Sequence, residues 1–590
     1  MSSSAEQVIG VIGAGPRGTS FMERLLAHVE AADSSSRTRL RVKVFDPAPH
    51  GPGKVWNPAQ SPLYLMNTPA SYPTAAPTGD TQDELPVSSC SVSFAQYAKL
   101  HRLNYHDGDF PARSHYGQYL AWLNKEVSAR LRGRGVAVDH IDEEVTSLKE
   151  HDGGYRLTTN QSTHQVGAAV LGLGHLHAVP GGPSGHLART AGDLGLHYQG
   201  PAIPTDVDYD SFPAGENVLV RGMGLNFFDF LIQVTAGRGG QFREAAEPVA
   251  GHRYDYLPSG DEPAIIAGAR RGTPYRAKTT AEGFVPAGVE LHHLTHQRIE
   301  ELAGAHHQLD FAEHLWPLIQ ADAFETYLRA RGTDPDFDVV AYARPFGHQD
   351  FPSHQAYQEH MLRWLVEDAQ SSAAGERSPE KMAANALHAA RLRLKPLLSQ
   401  GRITAASRLR DVEGWFESMV EGLASGPPLQ RIEELAALVR AGVVEFLGPE
   451  PVYGVDRQAG CFIADSASVA GARYSAAHMI EAMMPPNRVT QAASPLVESL
   501  LSAGLARPAG FDVGSETHVH KGFAVTEQPY RLLNTQDQPG EALYVLGLQL
   551  SSAQWGTAIA AEAGGEAQTT AQTLADADAA AREILHRFGR

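Results

Sequence analysis

The sequence predicts an α/β protein with two Rossmann-like dinucleotide-binding domains and a helical insertion. A strand, a glycine-rich turn and a helix follow one another close to the start of the chain, and the same order recurs about 210 residues later. Residues 285–450 carry mainly amphipathic helix patterns with few glycine-rich turns. The length of 590 residues agrees with two or three domains.

The first glycine-rich motif lies in the stretch VIGVIGAGPRGTSF, Val8–Phe21. Its apolar start predicts a buried parallel strand, and Gly13, Gly15 and Gly18 then form G-x-G-x-x-G before a helical pattern. The first glycine permits a tight turn, the second lets the backbone approach a pyrophosphate, and the third lets helix and strand pack closely. The motif predicts a dinucleotide site at the helix N-terminus. An ordinary glycine turn in a βα unit is the alternative.

A carboxylate at the end of the second predicted strand supports the nucleotide interpretation. This strand, Leu40–Phe45, ends at Asp46, which is placed to accept a hydrogen bond from a ribose hydroxyl. Asp46 comes later than the usual spacing of about 20 residues. We attribute the delay to the polar loop Asp33–Ser36 and a longer crossover helix.

The segment Pro47–Ala70 is rich in Gly, Pro and Asn and predicts an ordered loop. It carries Trp56, Gln60 and Asn67, which would give a flavin ring an aromatic wall and amide hydrogen bonds. A proline-braced surface loop is the alternative.

Three further patterns follow before the second glycine motif. Val92–Leu131 is predicted to be helical and Val136–Thr158 to form strands. Ala168–Val179 predicts a buried strand with Gly172 and Gly174 near its end, which would bring the chain back beside the first nucleotide site.

The second glycine motif, NVLVRGMGLNFFDFL, spans Asn217–Leu231. Gly222 and Gly224 form the turn after the strand, whereas Phe227 takes the place of the third glycine. Two such motifs predict two dinucleotides, and a flavin with a nicotinamide nucleotide is the economical pair.

Arginines beyond the second motif favour NADPH over NADH, because a guanidinium suits the 2′-phosphate. They belong to the pieces GRGGQFR and ARRGTPYRAK, and the candidates are Arg238, Arg243, Arg270 and Arg271. For each of them a solvated surface position is the alternative.

The C-terminal region is predicted to return to the first nucleotide site. A strand at Leu543–Leu548 is followed by a predicted helix that starts near Thr557, and its N–H groups would face the flavin pyrimidine edge. Gly547, Trp555 and Thr557 are the cofactor-binding candidates here.

These patterns divide the chain into four predicted segments. They are 1–200, the first part of an FAD-binding domain; 201–284, an NADPH-binding Rossmann-like domain; 285–450, a mainly helical insertion or substrate domain; and 451–590, a return to the FAD-binding domain. Predicted helices in the insertion include Glu313–Arg331, Gln355–Glu367 and Pro379–Leu398, and Ser371–Ser378 is expected to be a flexible connection.

Composition restricts the partners. A formal net charge of −18 without a long basic run argues against nucleic acid and an anionic membrane. With only Cys90 and Cys461, a disulfide framework is not expected, and the N-terminus lacks the features of a signal peptide. The scattered histidines show no metal-binding spacing. We expect a cytoplasmic protein without a metal, and the composition leaves a homo-oligomer open.

In these motifs the chain resembles bacterial FAD/NAD(P)-binding proteins related to flavin-dependent N-hydroxylating monooxygenases. The matching pieces, in order, are VIGAGPRG, FDPAPHGPGKVW with LMNTPA, FPARSHYGQYL, VLGLGH, RGMGLNFFDFL with GRGGQF, RRGTPYRAK and LYVLGLQLSSAQWGT. Within that class the length and the pieces RGMGLNFFDF and GRGG resemble the aspartate N-hydroxylases that make nitrosuccinate.

The resemblance implies roles for several residues. Gly13, Gly15, Gly18 and Asp46 would hold FAD and Gln60 would lie near the flavin. Gly222, Gly224 and Arg238 would contact NADPH. LMNTPA replaces the FLKDLV-like segment of ornithine and lysine hydroxylases, which argues against a side-chain amine as the substrate.

The sequence therefore predicts an FAD monooxygenase that uses NADPH and O2 to oxidise the α-amine of a small acidic amino acid, aspartate, to nitrosuccinate through N-hydroxyaspartate. Two substrate carboxylates need bidentate arginine with lysine support, for which we predict Arg276 first and Lys278 second. The alternatives are a flavin oxidoreductase that passes electrons to another acceptor, and a non-catalytic nucleotide-binding protein.

Overall fold

The computed structural model describes residues 6–32, 39–79, 84–281, 283–347 and 349–589. The loop Asp33–Ser36, expected to explain the late position of Asp46, lies outside the described residues. The chain forms two compact units. Unit 1 comprises Met1–Val179, Lys395–Gln400 and Pro486–Arg590, and unit 2 comprises Pro180–Leu394 and Gly401–Pro485.

The α-helices are α1 (Pro16–Ala31), α2 (Phe94–Leu100), α3 (Arg113–Gly133), α4 (Gly182–Leu194), α5 (Leu225–Val234), α6 (His296–Ala305), α7 (Trp316–Arg329), α8 (Val339–Ala343), α9 (His354–Ala374), α10 (Pro379–Ser399), α11 (Ala405–Ser407), α12 (Glu417–Ala424), α13 (Leu429–Arg440), α14 (Pro495–Ser502) and α15 (Gln572–Arg587). Short 3-10 turns are Pro204–Asp206, Tyr209–Ser211, Ala236–Arg238, Gly375–Arg377, Val489–Gln491 and Leu548–Leu550, and the π-helical segments are Phe311–Leu315 and Arg408–Phe416.

The strands are β1 (Gln7–Ile12), β2 (Leu40–Phe45), β3 (Pro73–Thr74), β4 (Ala137–Ile141), β5 (Val145–His151), β6 (Gly154–Thr159), β7 (Thr163–Val166), β8 (Ala168–Leu171), β9 (His197–Gln199), β10 (Asn217–Arg221), β11 (Gln241–Val249), β12 (His252–Leu257), β13 (Ala264–Gly268), β14 (Val444–Phe446), β15 (Val452–Asp456), β16 (Cys461–Asp465), β17 (Arg473–Ala476), β18 (His478–Glu481), β19 (Pro508–Val513), β20 (Glu516–Phe523), β21 (Arg531–Leu533), β22 (Pro539–Val545) and β23 (Ala561–Glu562).

Unit 1 is built on a six-stranded sheet in the order β21-β22-β8-β1-β2-β4. All neighbours run parallel except the β21–β22 pair. The predicted strands β1 and β2 pair in register from Gln7 with Leu40 to Ile12 with Phe45, so their carboxyl ends meet at the first glycine turn. Helix α1 follows that turn, and its apolar side chains Phe21, Met22 and Leu25 are fully buried.

Unit 2 is built on a five-stranded parallel sheet in the order β14-β13-β10-β18-β9. Strand β10 is central and leads into the second glycine turn and helix α5. Phe227, at the place of the third glycine, is fully buried in the apolar core of this unit. The predicted fold class, two Rossmann-like units with additional helices, is confirmed.

The boundaries between the units differ from the expected segments. Unit 1 ends at Val179, and the chain returns to it at Pro486, with Lys395–Gln400 as an additional piece. The helical segment is not a separate body, because β14 joins the sheet of unit 2 and apolar residues of α9 and α13 share its core. The segment 451–485, expected in the FAD-binding domain, supplies the strand β18 that pairs with β10.

Three local expectations need correction. No helix begins near Thr557; the segment contains turns, with Gly556 and Gly564 at positive φ, and the helix starts at Gln572. Most of Ser371–Ser378 is ordered helix or 3-10 turn, and Ser372 is fully buried. The helical pattern at Val92–Leu131 forms two helices, α2 and α3, around a loop. Within the described residues no helix is both long and apolar enough to cross a membrane.

Candidate active site

The first glycine turn has the geometry that its sequence requires. Gly13 has a φ of +98°, and a Cβ there would lie 2.2 Å from the carbonyl oxygen of Gly172. A Cβ at Gly18 would lie 2.1 Å from the carbonyl oxygen of Gly13. Neither position accommodates a side chain, so both glycines are needed to form the turn and to pack α1 against β1.

Gly15 differs from its two neighbours because the space beside it is open. Among the described residues, leaving out its chain neighbours, a Cβ at Gly15 would have only the Cα of Gly53 within 4 Å, at 3.8 Å. Gly15 is also the N-cap of α1, and no side chain caps this helix end. The N–H groups and the dipole of the helix therefore favour an anion next to Gly15.

Asp46 is tied to the same turn. Its Oδ2 accepts a hydrogen bond from the backbone N–H of Ala14 at 2.7 Å, and its Oδ1 accepts one from Ala48 at 2.8 Å. Burial raises the pKa of Asp46 against the effect of these two bonds. Because each carboxylate oxygen has two acceptor sites, Asp46 can brace the turn and still accept a bond from a ribose hydroxyl.

A cavity of about 340 Å³ in unit 1 opens between the glycine turn, the loop after β2 and the segment after β8. The predicted site residues that line it are Gly13, Gly15, Asp46, Trp56 and Thr557. The lining residues do not include Gly18, Gln60, Asn67, Gly547 or Trp555. The structure thus brings the glycine turn, Asp46 and the C-terminal segment together at one cavity.

Gln60 braces its own loop: its side-chain Nε2 donates to the carbonyl oxygen of Val55 at 3.1 Å. Trp56 lies on the cavity, where its ring packs edge-on against Tyr116 with the ring centroids 4.8 Å apart. Of the loop's three candidates, Trp56 is the one placed to contact a nucleotide in this cavity.

Arg17 is a cavity residue that the sequence reasoning missed. Its Nη2 donates to the carbonyl oxygens of Thr557 at 2.8 Å and Ile559 at 2.7 Å, and so holds the C-terminal segment against the first turn of α1. A Cβ at Gly547 would lie 2.9 Å from the Cγ of Arg17, which explains a glycine at this site. Burial lowers the pKa of Arg17. Its position inside the motif GPRG could have indicated in the sequence that Arg17 lies at the nucleotide site.

Basic groups on the cavity wall were also missed. The Nζ of Lys54 lies 2.8 Å from the Nε2 of His177, and both residues line the cavity. Burial lowers the pKa of His175, another lining residue, to about 4. His175 is therefore neutral near pH 7. The motif VLGLGH marks this segment, but only the parallel pairing of β8 with β1 places it at the cavity.

The second glycine turn, in unit 2, is partly covered by an aromatic ring. Gly222 has a φ of +109°, and Gly224 is the N-cap of α5 without a side-chain cap. The backbone N–H of Tyr275 donates to the carbonyl oxygen of Met223 at 3.0 Å, and the Tyr275 ring would lie 3.4 Å from a Cβ at Gly224. The segment RRGTPYRAK therefore lies directly on this turn.

Arg238 is not placed as predicted. It follows the far end of α5, about 15 Å from the glycine turn at the rise of an α-helix. Its guanidinium donates to the carbonyl oxygens of Asp261, Tyr209 and Phe212 at 2.8, 2.5 and 2.7 Å. These bonds stabilise the fold of unit 2 and direct Arg238 away from a role at the 2′-phosphate. Arg243 has a similarly local contact, with Gln241 at 3.0 Å.

Arg270 has the better position for a 2′-phosphate. It is exposed two residues after β13, the strand beside β10, where Rossmann folds meet the adenosine ribose. Arg271 is half-buried; it donates to the carbonyl oxygen of Ser418 at 3.1 Å and lies over the Tyr275 ring. Burial lowers the pKa of Arg271.

Arg276, the first predicted substrate clamp, is part of a buried ion-pair cluster. Its Nη1 lies 3.0 Å from the Oδ1 of Asp368, and the same oxygen lies 2.8 Å from the Nζ of Lys381. The guanidinium also lies over the rings of Tyr342 and Trp364. Burial opposes ionisation of Asp368, but Lys381 and Arg276 hold its pKa below the usual range. Asp368 already occupies the place that a substrate carboxylate would take.

Lys278 has different surroundings. Its Nζ donates to the carbonyl oxygen of Ala424 at 3.2 Å and lies 4.8 Å from the centre of the Phe284 ring. Within the part of the chain that the structure describes, no carboxylate oxygen lies within 4.0 Å of this nitrogen. Burial, and then the charge of Arg391, lower the pKa of Lys278 to about 7.

The chain is similar to a known nucleotide-binding family and to several known relatives. A family model described as FAD-NAD(P)-binding matches residues 10–176. Nitrosuccinic acid synthase npaA of Aspergillus oryzae is 31% identical over 630 aligned residues, which cover 99% of this chain and 93% of that protein. The L-aspartate N-monooxygenases (nitrosuccinate-forming) of Streptomyces cremeus and Streptomyces davaonensis are each 32% identical; the alignments cover 97% and 99% of this chain and 94% and 98% of theirs. The chain belongs to the family of these nitrosuccinate-forming N-monooxygenases.

Proposed function

We propose that the protein is an FAD-dependent, NADPH- and O2-using N-monooxygenase that oxidises the amine of L-aspartate to nitrosuccinate through N-hydroxyaspartate. The glycine-turn cavity of unit 1 is the structural observation that carries the flavin assignment. The substrate assignment is supported by the activities for which relatives that align over nearly the whole chain are named.

Several features of unit 1 fit FAD. Gly15 leaves open space at the uncapped N-terminus of α1, where a pyrophosphate would accept hydrogen bonds from backbone N–H groups. Asp46 would bind the adenosine ribose, and Trp56 would form an apolar wall. The cofactor supplies the chemistry that passes two electrons from NADPH to O2.

In unit 2, Gly222 and Gly224 would hold the NADPH pyrophosphate, and Arg270 would bind the 2′-phosphate. The Tyr275 ring borders the turn and would bound the nucleotide on that side. We therefore assign the phosphate role that the sequence suggested for Arg238 to Arg270.

The first round of the reaction converts L-aspartate, O2, NADPH and a proton into N-hydroxyaspartate, NADP⁺ and water. One oxygen atom forms the new N–O bond and the other leaves as water. The amine must be unprotonated to form the N–O bond. The protein would therefore bind both carboxylates of the substrate, position the unprotonated nitrogen and exclude bulk water.

The free cysteines favour this function over thiol-dependent electron transfer. Cys90 is buried in unit 1 and Cys461 belongs to unit 2, and burial raises the pKa of the Cys90 thiol to about 11. A buried thiol with a raised pKa is a poor nucleophile. Two free cysteines also support a reducing, cytoplasmic location, which we include in the proposal.

The decisive experiment combines a visible spectrum with substrate-dependent turnover. We expect the purified protein to carry FAD and NADPH to reduce it anaerobically faster than NADH does. L-Aspartate should then couple NADPH consumption to nitrosuccinate, measured by mass spectrometry. Full release of hydrogen peroxide with aspartate and with every other small amino acid would disprove the N-monooxygenase assignment.

A further inference from the structure

A cluster of imidazole and carboxylate groups lies in unit 2 and uses none of the residues assigned to either nucleotide. It joins the segment before helix α6 to helix α7. One ligating atom from each of His293, Asp322 and Glu325 lies within 4.8 Å of the other two. In the part of the chain that the structure describes, no other group of three histidine, cysteine, aspartate or glutamate side chains meets this distance. The fold thus brings together ligand types that are scattered in the sequence.

Asp322 fixes the backbone that carries the histidine. It is 1% exposed, and its Oδ1 accepts hydrogen bonds from the backbone N–H groups of His292 at 2.7 Å and His293 at 2.9 Å. Its Oδ2 accepts one from the N–H of Leu294 at 2.8 Å. Each carboxylate oxygen has two acceptor sites, so Oδ2 can also bind a cation. The three bonds hold the segment on α7, as a preorganised site requires.

Glu325 completes the cluster from the next turn of α7. Residues three apart on an α-helix lie on the same face, so Glu325 follows Asp322 along the helix. The Oε2 of Glu325 lies 3.0 Å from the Nε2 of His293, and its Oε1 lies 2.7 Å from the Nδ1 of His292. The side chains of His293 and Glu325 are 44% and 34% exposed, so an ion can reach them from solvent. His292 is placed to orient the Glu325 carboxylate.

The charges of the cluster favour a cation. Glu290 adds a third carboxylate, 3.1 Å from the Nε2 of His292. Arg329 lies 3.4 Å from Glu290 and 3.8 Å from Glu325. The carboxylates therefore outnumber the arginine, and a divalent ion would compensate the excess negative charge.

We propose that His293, Asp322 and Glu325 bind a Zn²⁺ ion, with water as the fourth ligand. Zinc combines imidazole and carboxylate ligands in this way, whereas Mg²⁺ and Ca²⁺ prefer oxygen ligands alone. Tetrahedral bonds of about 2.0–2.2 Å place ligand atoms about 3.3–3.6 Å apart. That separation lies between the 3.0 Å contact of Glu325 with His293 and the 4.8 Å limit of the cluster. His293 binds as the neutral ring, with its proton on Nδ1.

The ion would add metal bonds to the hydrogen bonds that already join the 290–294 segment to α7. Its contribution would be to the stability of unit 2, because metal bound only by the folded protein adds to the free energy of folding. This inference is independent of the proposed function.

Calorimetric titration with ZnCl2 tests the site. The FAD-loaded protein is first freed of metal with a chelator and is then titrated with zinc alone. We expect His293→Gln and Glu325→Gln each to weaken zinc binding at least about tenfold. His296→Gln, which replaces an exposed histidine three residues after His293, is the matched control and should bind zinc as wild type. Unchanged binding in His293→Gln would overturn the proposal, and so would tighter binding of MgCl2 than of ZnCl2.

Thermal unfolding shows whether zinc acts through this cluster. ZnCl2 should raise the thermal midpoint of the metal-free wild type and of His296→Gln by at least about 2 °C, but should not raise that of His293→Gln. An equal rise in wild type and His293→Gln would place the effect of zinc elsewhere and overturn the proposal.

Histidine modification tests the site without any substitution. The wild-type holoenzyme is treated briefly with diethyl pyrocarbonate, and the modification of each histidine is read by peptide mass spectrometry. Zinc should protect His293 several-fold because its Nε2 is then bound to the ion, while the exposed His296 reacts equally with and without zinc. Equal modification of His293 in both samples would contradict the zinc site.

Discussion

Arg17 donates from its guanidinium to the carbonyl oxygen of Thr557, a residue 540 positions later in the chain. The bond joins the first turn of α1 to the C-terminal segment at the edge of the proposed FAD cavity. Arg17 belongs to a helix and Thr557 to a turn, so strand pairing does not join the two residues. Arg17 therefore helps to fix the cavity wall at Thr557.

Replacing Arg17 with methionine should weaken FAD binding about tenfold or more, because the two hydrogen bonds that hold the 557–559 segment are lost. Fluorescence quenching during titration of the apoprotein with FAD measures the effect. Arg130→Met, an exposed arginine of α3, is the control and should bind FAD as wild type. Equal affinities for both variants would show that Arg17 does not organise the site.

Substitutions at two glycines of the first turn should have separable effects. Gly15→Val projects into open space, so the apoprotein should fold with a nearly unchanged thermal midpoint but bind no FAD. Gly18→Ala forces a Cβ to within 2.1 Å of the Gly13 carbonyl oxygen and should instead lower the thermal midpoint. Flavin at normal stoichiometry in Gly15→Val would contradict the proposed pyrophosphate site.

Arginine substitutions in unit 2 should distinguish nucleotide binding from stability. Arg270→Ala should raise the Kd for NADPH about 10–100-fold and leave NADH nearly unchanged, since only NADPH carries the 2′-phosphate. Arg238→Ala should lower the free energy of unfolding by about 1–3 kcal/mol without altering the ratio of the two Kd values. A loss of NADPH preference in Arg238→Ala would restore the original prediction.

The buried ion-pair cluster predicts a stability effect where the sequence suggested substrate binding. Arg276→Met should lower the free energy of unfolding by about 3–5 kcal/mol, because it leaves the Asp368 carboxylate buried with one ion-pair partner fewer. Chemical denaturation of the holoenzyme measures this. The KM for aspartate of the folded variant should stay within about twofold of wild type, and a large rise would return Arg276 to the substrate site.

The same cluster predicts a dependence of stability on pH. Ion pairing holds the pKa of Asp368 below its usual range, so the unfolded chain takes up a proton there before the folded protein does. The contribution of Asp368 to the free energy of unfolding is therefore complete above the ordinary aspartate pKa and decreases as the pH falls below about 4. Unfolding free energies at pH 6 and pH 3.5 should differ more for wild type than for Asp368→Asn. Equal differences would contradict the pairing.

Local patterns predicted the parts of the fold in which neighbours in sequence are neighbours in space. The β1 strand, the Gly13 turn and α1 are contiguous, and steric and dipolar rules describe them fully. The contacts of Arg276 and Arg238 could not be predicted, because their partners, Asp368 and the carbonyl oxygens of residues 209, 212 and 261, are supplied by tertiary structure. The sequence alone does not distinguish an arginine that pairs with a distant residue of the fold from an arginine that can bind a ligand.

The prediction of a helix that starts near Thr557 was wrong for a related reason. The apolar and small residues after Gly547 fit a helix pattern, but Gly556 and Gly564 adopt positive φ and turn the chain. Arg17 then fixes the resulting turns through the backbone carbonyls of Thr557 and Ile559. Local propensity was overridden by a contact from the other end of the chain.

Unit 1 is assembled from segments near both ends of the chain. It can therefore bind its cofactor only when synthesis of the chain is nearly complete. Strand β8 is fully buried between β1 and β22, but β22 leaves the ribosome about 370 residues after β8. During that interval the apolar edge of β8 has no neighbour on one side, and the Thr557 wall of the cavity has not been made. The nascent chain can complete unit 2 first, so it should acquire FAD only as a finished polypeptide, and products truncated before β22 should remain colourless.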